Sequence, residues 1–120
     1  MILGKYSFGI GDRFCHQGKA QLAALIKAKE HGLNITPVWN KSNREHTIIG
    51  TNPSDTRQEA DNAIAAAGWN EPYFVDADHI GLNNVDGFIE SSDFFTLDVA
   101  DYIGQTIDET EIDSFVQKYK

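Results

Sequence analysis

The segment Val75-Asp76-Ala77-Asp78-His79 holds the residue types best suited to chemistry. It grows out of an apolar run, Tyr73-Phe74-Val75, that reads as a strand. Alternation along a strand puts Asp76 and Asp78 on one face and Ala77 on the other. Two like charges on one strand face repel and add nothing to a core. A cation, a basic partner or a chemical task must reward them. His79 stands where the strand gives way to a turn. Neutral imidazole is a common ligand for zinc, manganese, iron or nickel. A carboxylate near a metal-bound substrate can serve as general base. The competing reading of His79 is a loop histidine bonded to a backbone carbonyl, and one histidine with two aspartates falls short of a full metal site.

Three further polar groups follow apolar runs in the same way: Asp12-Arg13, Asn40-Lys41 and Asp98. Arg13 has two readings, a bidentate clamp for a substrate carboxylate or an ion-pair partner of Asp76 or Asp78. Gly9-Ile10-Gly11 does not open a dinucleotide fingerprint, because Phe14 stands where the third glycine belongs, and no phosphate-binding P-loop sequence exists. These glycines read as sites of close backbone approach. Cys15-His16 are sequence neighbours and read as structural, since nucleophile and base meet through space rather than along the chain. His46 lies in a long polar segment that either covers substrate or is simply solvated. His31 suits a helix C-terminus, and the acidic run from Asp101 to Asp113 reads as a solvated face.

The elements that must position these groups alternate between strand and helix. Tyr6 to Ile10 is the expected first strand, and a helix follows from about Gln17 to His31 with Leu22, Leu25 and Ile26 on one stripe. Gly32 looks like its left-handed cap. The second strand is expected at Ile35 to Trp39, weakened by Pro37, and a loop from Asn40 to Pro53. A second helix runs from Asp55 to Ala67, with Asp55 and Gln58 as its capping box. The third strand is Pro72 to Ala77, a short helix spans Val85 to Glu90, and the fourth strand is Asp93 to Leu97. A last amphipathic helix spans Glu109 to Tyr119, capped by Thr106.

Four β–α units predict a parallel sheet covered by helices. Two α/β architectures compete: half of a TIM-type (β/α)8 barrel, or a small open doubly wound sheet. Either one brings the polar groups to one rim, the C-terminal ends of the strands. A chain of 120 residues fits one domain. Its net charge of −8 argues against nucleic acid and anionic membrane surfaces as partners. The single cysteine excludes an internal disulfide and, with no apolar run long enough to span a bilayer, leads to the expectation of a cytoplasmic protein.

Taken together in this order, Gly9-Ile10-Gly11-Asp12-Arg13, Asn40-Lys41-Ser42-Asn43-Arg44-Glu45, Ala77-Asp78-His79 and Phe94-Phe95-Thr96-Leu97-Asp98 resemble the tagaturonate epimerase family, over about Tyr6 to Ile103. The resemblance implies a metal-dependent β/α-barrel isomerase that interconverts tagaturonate and fructuronate by inverting one hydroxyl-bearing carbon. It implies that Asp78 matches a catalytic proton acceptor and His79 a ligand of a divalent ion (zinc, manganese, nickel or iron). Arg13 and Lys41 are then candidates for the uronate carboxylate, with Asp12, Asn40 and Asp98 along the same rim. Members of that family are several times longer. The expectation is therefore an N-terminal half-barrel that is incomplete alone, pairing as a homodimer or with a missing C-terminal half. The alternative is a non-catalytic ligand- or ion-binding module, receiver-like, or a barrel-completing subunit. A receiver needs a distal lysine, and none lies between Lys41 and Lys118.

Overall fold

A computed structural model of the chain describes residues 2–120. Its sheet has four strands, β1 (Ser7–Ile10), β2 (Thr36–Ser42), β3 (Phe74–Ile80) and β4 (Phe94–Leu97). All are parallel and lie in the order β1-β2-β3-β4. Each strand therefore neighbours its successor, as in a segment of a β/α barrel. A doubly wound or receiver-like sheet instead reverses direction and places its first strand inside. Here β1 is at the edge, so the sheet has no switch point and the receiver-like reading falls.

The helices are α1 (Gly18–Glu30), α2 (Asn43–Ile49), α3 (Pro53–Ala67) and α4 (Glu109–Tyr119). Leu22 and Leu25 of α1, with Ala60 and Ala63 of α3, pack on Ile10, Trp39 and Val75. Leu22 is completely buried, a contribution of about 2 kcal/mol. The small alanines let α3 lie close to the sheet, and Tyr73 meets Trp39 edge to face at 6.1 Å. A second cluster, Ala77, Ile80 and Phe88, continues this layer. Val75 and Ala77 share a strand face, so both clusters cover the same side of the sheet. Asn40, Asp76, Asp78 and Thr96 alternate onto the other side.

Three expectations need correction. The segment Asn40 to Pro53 is not a loop. Its first three residues extend β2 to Ser42, and α2 starts at once. Ser42 caps it: the hydroxyl accepts from the Glu45 amide, and the Glu45 carboxylate accepts from the Ser42 amide. The capping box of α3 is Asn52 with Asp55, one turn before the expected pair, with Pro53 in the first helical position. The N-cap of α4 is Asp108 rather than Thr106. Pro37 is tolerated inside β2 because pairing with β3 begins only at Val38, so its missing amide removes no ladder bond there.

The terminal helix forms, yet Ile112, Phe115, Val116 and Tyr119 all stay exposed. The radius of gyration is accordingly 17.4 Å, against about 14 Å for a compact chain of this length. No helix among the described residues is long and apolar enough to cross a membrane.

Candidate active site

The third strand runs past its expected end at Ala77 and carries Asp78 and His79 within it. A bulge explains how both reach the rim. Ala77 pairs with Phe95, but the next pairing is Ile80 with Leu97, so the register shifts between them. His79 sits in this irregularity with φ of 55°, a left-handed backbone unusual for a side-chain-bearing residue. Strict alternation would turn His79 into the helix-covered layer. The extra residue instead leaves His79 exposed and returns Ile80 to the Ala77 layer.

Asp78 Oδ2 lies 2.9 Å from His79 Nδ1. That hydrogen bond, strengthened by the Asp78 charge, raises the imidazole pKa above its ordinary 6.5. It also fixes the tautomer: with the proton on Nδ1, Nε2 keeps its lone pair for a ligand. A cavity of about 590 Å³ opens over this pair. Arg13, Asn43, Arg44, Asn84 and Asp98 share its wall. A volume of that size suits a small polar metabolite.

The structure brings Arg13, Asp78, His79 and Asp98 together in this cavity. It does not bring in the other expected residues. Lys41 is almost wholly buried, and its ammonium donates to the Asp12 carbonyl. It alternates with Asn40, so it points into the helix layer with Trp39. The Asp12 carboxylate is wrapped by its own loop, accepting from the amides of Phe14 at 2.9 Å, Gln17 at 2.9 Å and His16 at 3.1 Å. Burial pushes its pKa up, but these amides win and hold it below the usual carboxylate value. Asn40 stands deeper on the open face, beside Asp76 across the β2–β3 pair. Gly11 passes so close to it that an added Cβ would fall 2.4 Å from the Asn40 carbonyl oxygen.

Asp76 is also below the cavity. It is 7% exposed; Oδ2 accepts from the Thr96 hydroxyl at 2.7 Å, and Oδ1 has no partner. Burial pushes its carboxyl above the ordinary range. Arg13 forms an ion pair with neither Asp76 nor Asp78 among the described residues. His46 is neither a substrate-covering nor a solvated loop residue. It is buried in α2, where Nδ1 meets the Thr51 hydroxyl at 2.8 Å, and desolvation lowers its pKa. Cys15 is half-buried, and burial pushes its thiol up, away from the reactive thiolate.

Asn84 is a cavity residue that was not singled out from the sequence, and Asn43 and Arg44 entered there only within the family-like segment, with no role assigned. The signal was present for two of them: Ser42-x-x-Glu45 is a capping box, and it places Asn43 and Arg44 in a first helical turn directly after a strand end. As to a metal, His79 with a free Nε2 fits as a single ligand. No group of three ligating side chains gathers among the described residues. A complete metal centre therefore needs donors beyond this set.

The family profile described as UxaE, tagaturonate epimerase, matches residues 1–120. No curated protein matches the chain. The native crystal structure of fructuronate-tagaturonate epimerase UxaE from Cohnella laeviribosi is similar over 94% of this chain and 23% of that one, with a TM-score of 0.73 at 22% identity. Its complex with two glycerols is similar over 98% of this chain and 25% of that one, with a TM-score of 0.72 at 22% identity. The chain thus spans about a quarter of the length of these solved relatives, and likeness at this identity speaks to fold.

Proposed function

The chain belongs to the tagaturonate epimerase family, and we propose on that premise that it supplies the N-terminal strands of a cytoplasmic barrel enzyme that epimerises keto-uronates. The substrates are tagaturonate and fructuronate, which differ in configuration at one hydroxyl-bearing carbon. The observation that carries this reading is the Asp78–His79 pair, held by a bulge at the strand ends inside a cavity that also contains Arg13.

In this reading Asp78 is the proton-moving group. Oδ2 is engaged by the His79 ring, which leaves Oδ1 to take the proton from the reacting carbon or its hydroxyl. A divalent ion on His79 Nε2, of the zinc, manganese, nickel or iron type, would polarise the keto and hydroxyl oxygens of the substrate. The hydrogen bond from Nδ1–H to Asp78 keeps the imidazole oriented for that task. The remaining ligands and a second acid–base group come from elsewhere in the assembled enzyme. The open edges at β1 and β4 are closed there too, by a C-terminal part or a second copy. Native mass spectrometry separates those two arrangements.

The test is turnover in D2O. The protein, assembled with the C-terminal part or second copy that closes the sheet and supplied with Mn²⁺, Zn²⁺ or Ni²⁺, is incubated with tagaturonate and followed by proton NMR. Conversion to fructuronate is the expected result, and Asp78→Asn is expected to slow it by roughly 10²–10⁴-fold. Deuterium at the inverted carbon would assign a deprotonation there, and its absence would assign carbon–carbon cleavage and reclosure, with Asp78 taking the proton of the hydroxyl. No conversion with any metal would sink the epimerase reading.

A further inference from the structure

We infer that Arg44 and Arg13 together form a carboxylate clamp that makes this cavity selective for sugar acids over neutral ketoses. The inference rests on the epimerase reading of the same cavity and adds the residues that choose the substrate class.

The chain carries 18 acidic against 10 basic residues, yet among the described residues two of those ten cations form an ion pair. Arg57 does so, with Asp93 and Asp61, and Lys29 does so with Glu71. Arg13 and Arg44 share a cavity with three carboxylates, yet neither has one within 4.0 Å among the described residues. Each of those carboxylates has one oxygen engaged elsewhere. Glu45 Oε2 accepts from the amide and hydroxyl of Ser42, both at 3.1 Å. Asp78 holds His79, and Asp98 Oδ1 accepts from the Ala100 amide at 3.1 Å. Two arginines thus line one cavity without an ion-pair partner among the described residues, open to an anion from outside.

Placement supplies the second part. Arg13 follows β1, and Arg44 sits in the first turn of α2, which continues β2 without a loop. The reacting pair belongs to β3, and Asp98 follows β4. The cations therefore stand toward the β1–β2 side of the rim and the proton-moving group toward the β3–β4 side. A hexuronate lying across the strand ends has its carboxylate at one end of the carbon chain and its keto and hydroxyl carbons away from that end. The guanidinium fork matches a carboxylate in two parallel hydrogen bonds, which an ammonium cannot copy. Lys41, buried in the helix layer, is unavailable for this role.

The experiment compares tagaturonate with tagatose, its neutral counterpart, in the assembled enzyme carrying wild-type chain, Arg44→Gln, Arg44→Lys or Arg13→Gln. Arg44→Gln is expected to cut kcat/KM for the uronate by about ten- to hundred-fold, mainly through KM, from the loss of one charge-assisted contact. Tagatose kcat/KM should fall by far less than that of the uronate, and Arg44→Lys should restore only part of the loss. Binding of galacturonate, a non-isomerising uronate, is measured in parallel by NMR titration. Arg44-dependent uronate binding without turnover would retire the epimerase reading and leave the clamp standing. Turnover with an unchanged uronate-to-ketose preference in Arg44→Gln would overturn the clamp and leave the epimerase reading standing. Absence of both turnover and uronate binding would overturn the clamp as well.

Discussion

Replacing Asp12 tests most directly whether the geometry has been read correctly. The sequence put this carboxylate on the substrate rim, whereas the structure gives it the task of folding the β1–α1 loop. Three amides donate to it, from Phe14, His16 and Gln17. A hydrogen bond to a charged acceptor contributes about 1.5–3 kcal/mol, so three intact ones would sum to several kcal/mol. The loop is near the surface, however, and water reclaims the amides when the carboxylate is gone. The expected loss for Asp12→Ala is therefore that of a strong helix cap, about 2 kcal/mol. Asp12→Asn, which keeps one oxygen but not the charge, should lose about half of that. Urea unfolding followed by the fluorescence of buried Trp39 is the assay. With a slope of about 2 kcal/mol per molar, the midpoint for Asp12→Ala should fall by about 1 M. The pH dependence has a definite sign. The folded pKa lies below the ordinary carboxylate value of 3.8. The stabilisation is thus complete above that value and is lost as pH falls through the folded pKa, so the gap to wild type closes in strong acid. If Asp12→Ala unfolds with wild type at neutral pH and instead loses uronate binding, the structural assignment is wrong and Asp12 belongs to the substrate site.

Other substitutions probe the rest of the frame. Asp76→Asn keeps the acceptor for Thr96 and removes a buried charge with one orphan oxygen. Because burial raises the folded pKa of Asp76, its favourable contribution exists below about pH 3.8 and fades as pH rises through the folded value. The variant should therefore show a higher Tm than wild type at pH 7 and none of that gain near pH 3.8; a lower Tm at pH 7 would mean that the ionised carboxylate is satisfied by something bound. Asp93 accepts from the Val75 amide at 2.7 Å and from Arg57 at 2.6 Å. Asp93→Ala should cost about 2–3 kcal/mol in chemical denaturation, chiefly through the orphaned amide, and Asp93→Asn distinctly less. At position 79, φ of 55° favours glycine, so His79→Gly should be about 1 kcal/mol more stable than His79→Ala. Equal stability would remove the bulge from the account.

Much of the scaffold was legible because its signals are local. The Leu22, Leu25 and Ile26 stripe has the helical period, and Leu22 and Leu25 are buried in α1, along with Gly18 at its start. Gly32 adopts the left-handed cap expected of it, at φ of 83°, Gly68 repeats it at 61°, and the Leu33 and Trp69 amides fold back onto Ala28 and Ile64. The segment from Asn40 to Pro53 was misread for an equally physical reason. A strand end and a one-sided short helix at a polar rim carry little apolar periodicity, and their identity lies in the reciprocal Ser42–Glu45 cap. The sequential strand order, which favours a barrel segment over a doubly wound sheet, comes from long-range pairing that no local pattern specifies.

The candidate site divides along the same line. Residue type and chain order by themselves determined that carboxylates, an imidazole and an arginine would gather near the strand ends, since a β–α repeat puts those ends on one rim. Which of them share a cavity was decided by side-chain direction, and that is a tertiary quantity. Alternation sends Lys41 into the helix layer with Trp39 while α2 carries Arg44 to the rim. Loop closure turns Asp12 inward onto its own amides. One inserted residue at His79 rotates the imidazole out of the core and beside Asp78. The strand period is two, so a shift of a single residue reverses every face, and only the packed sheet fixes where that shift occurs.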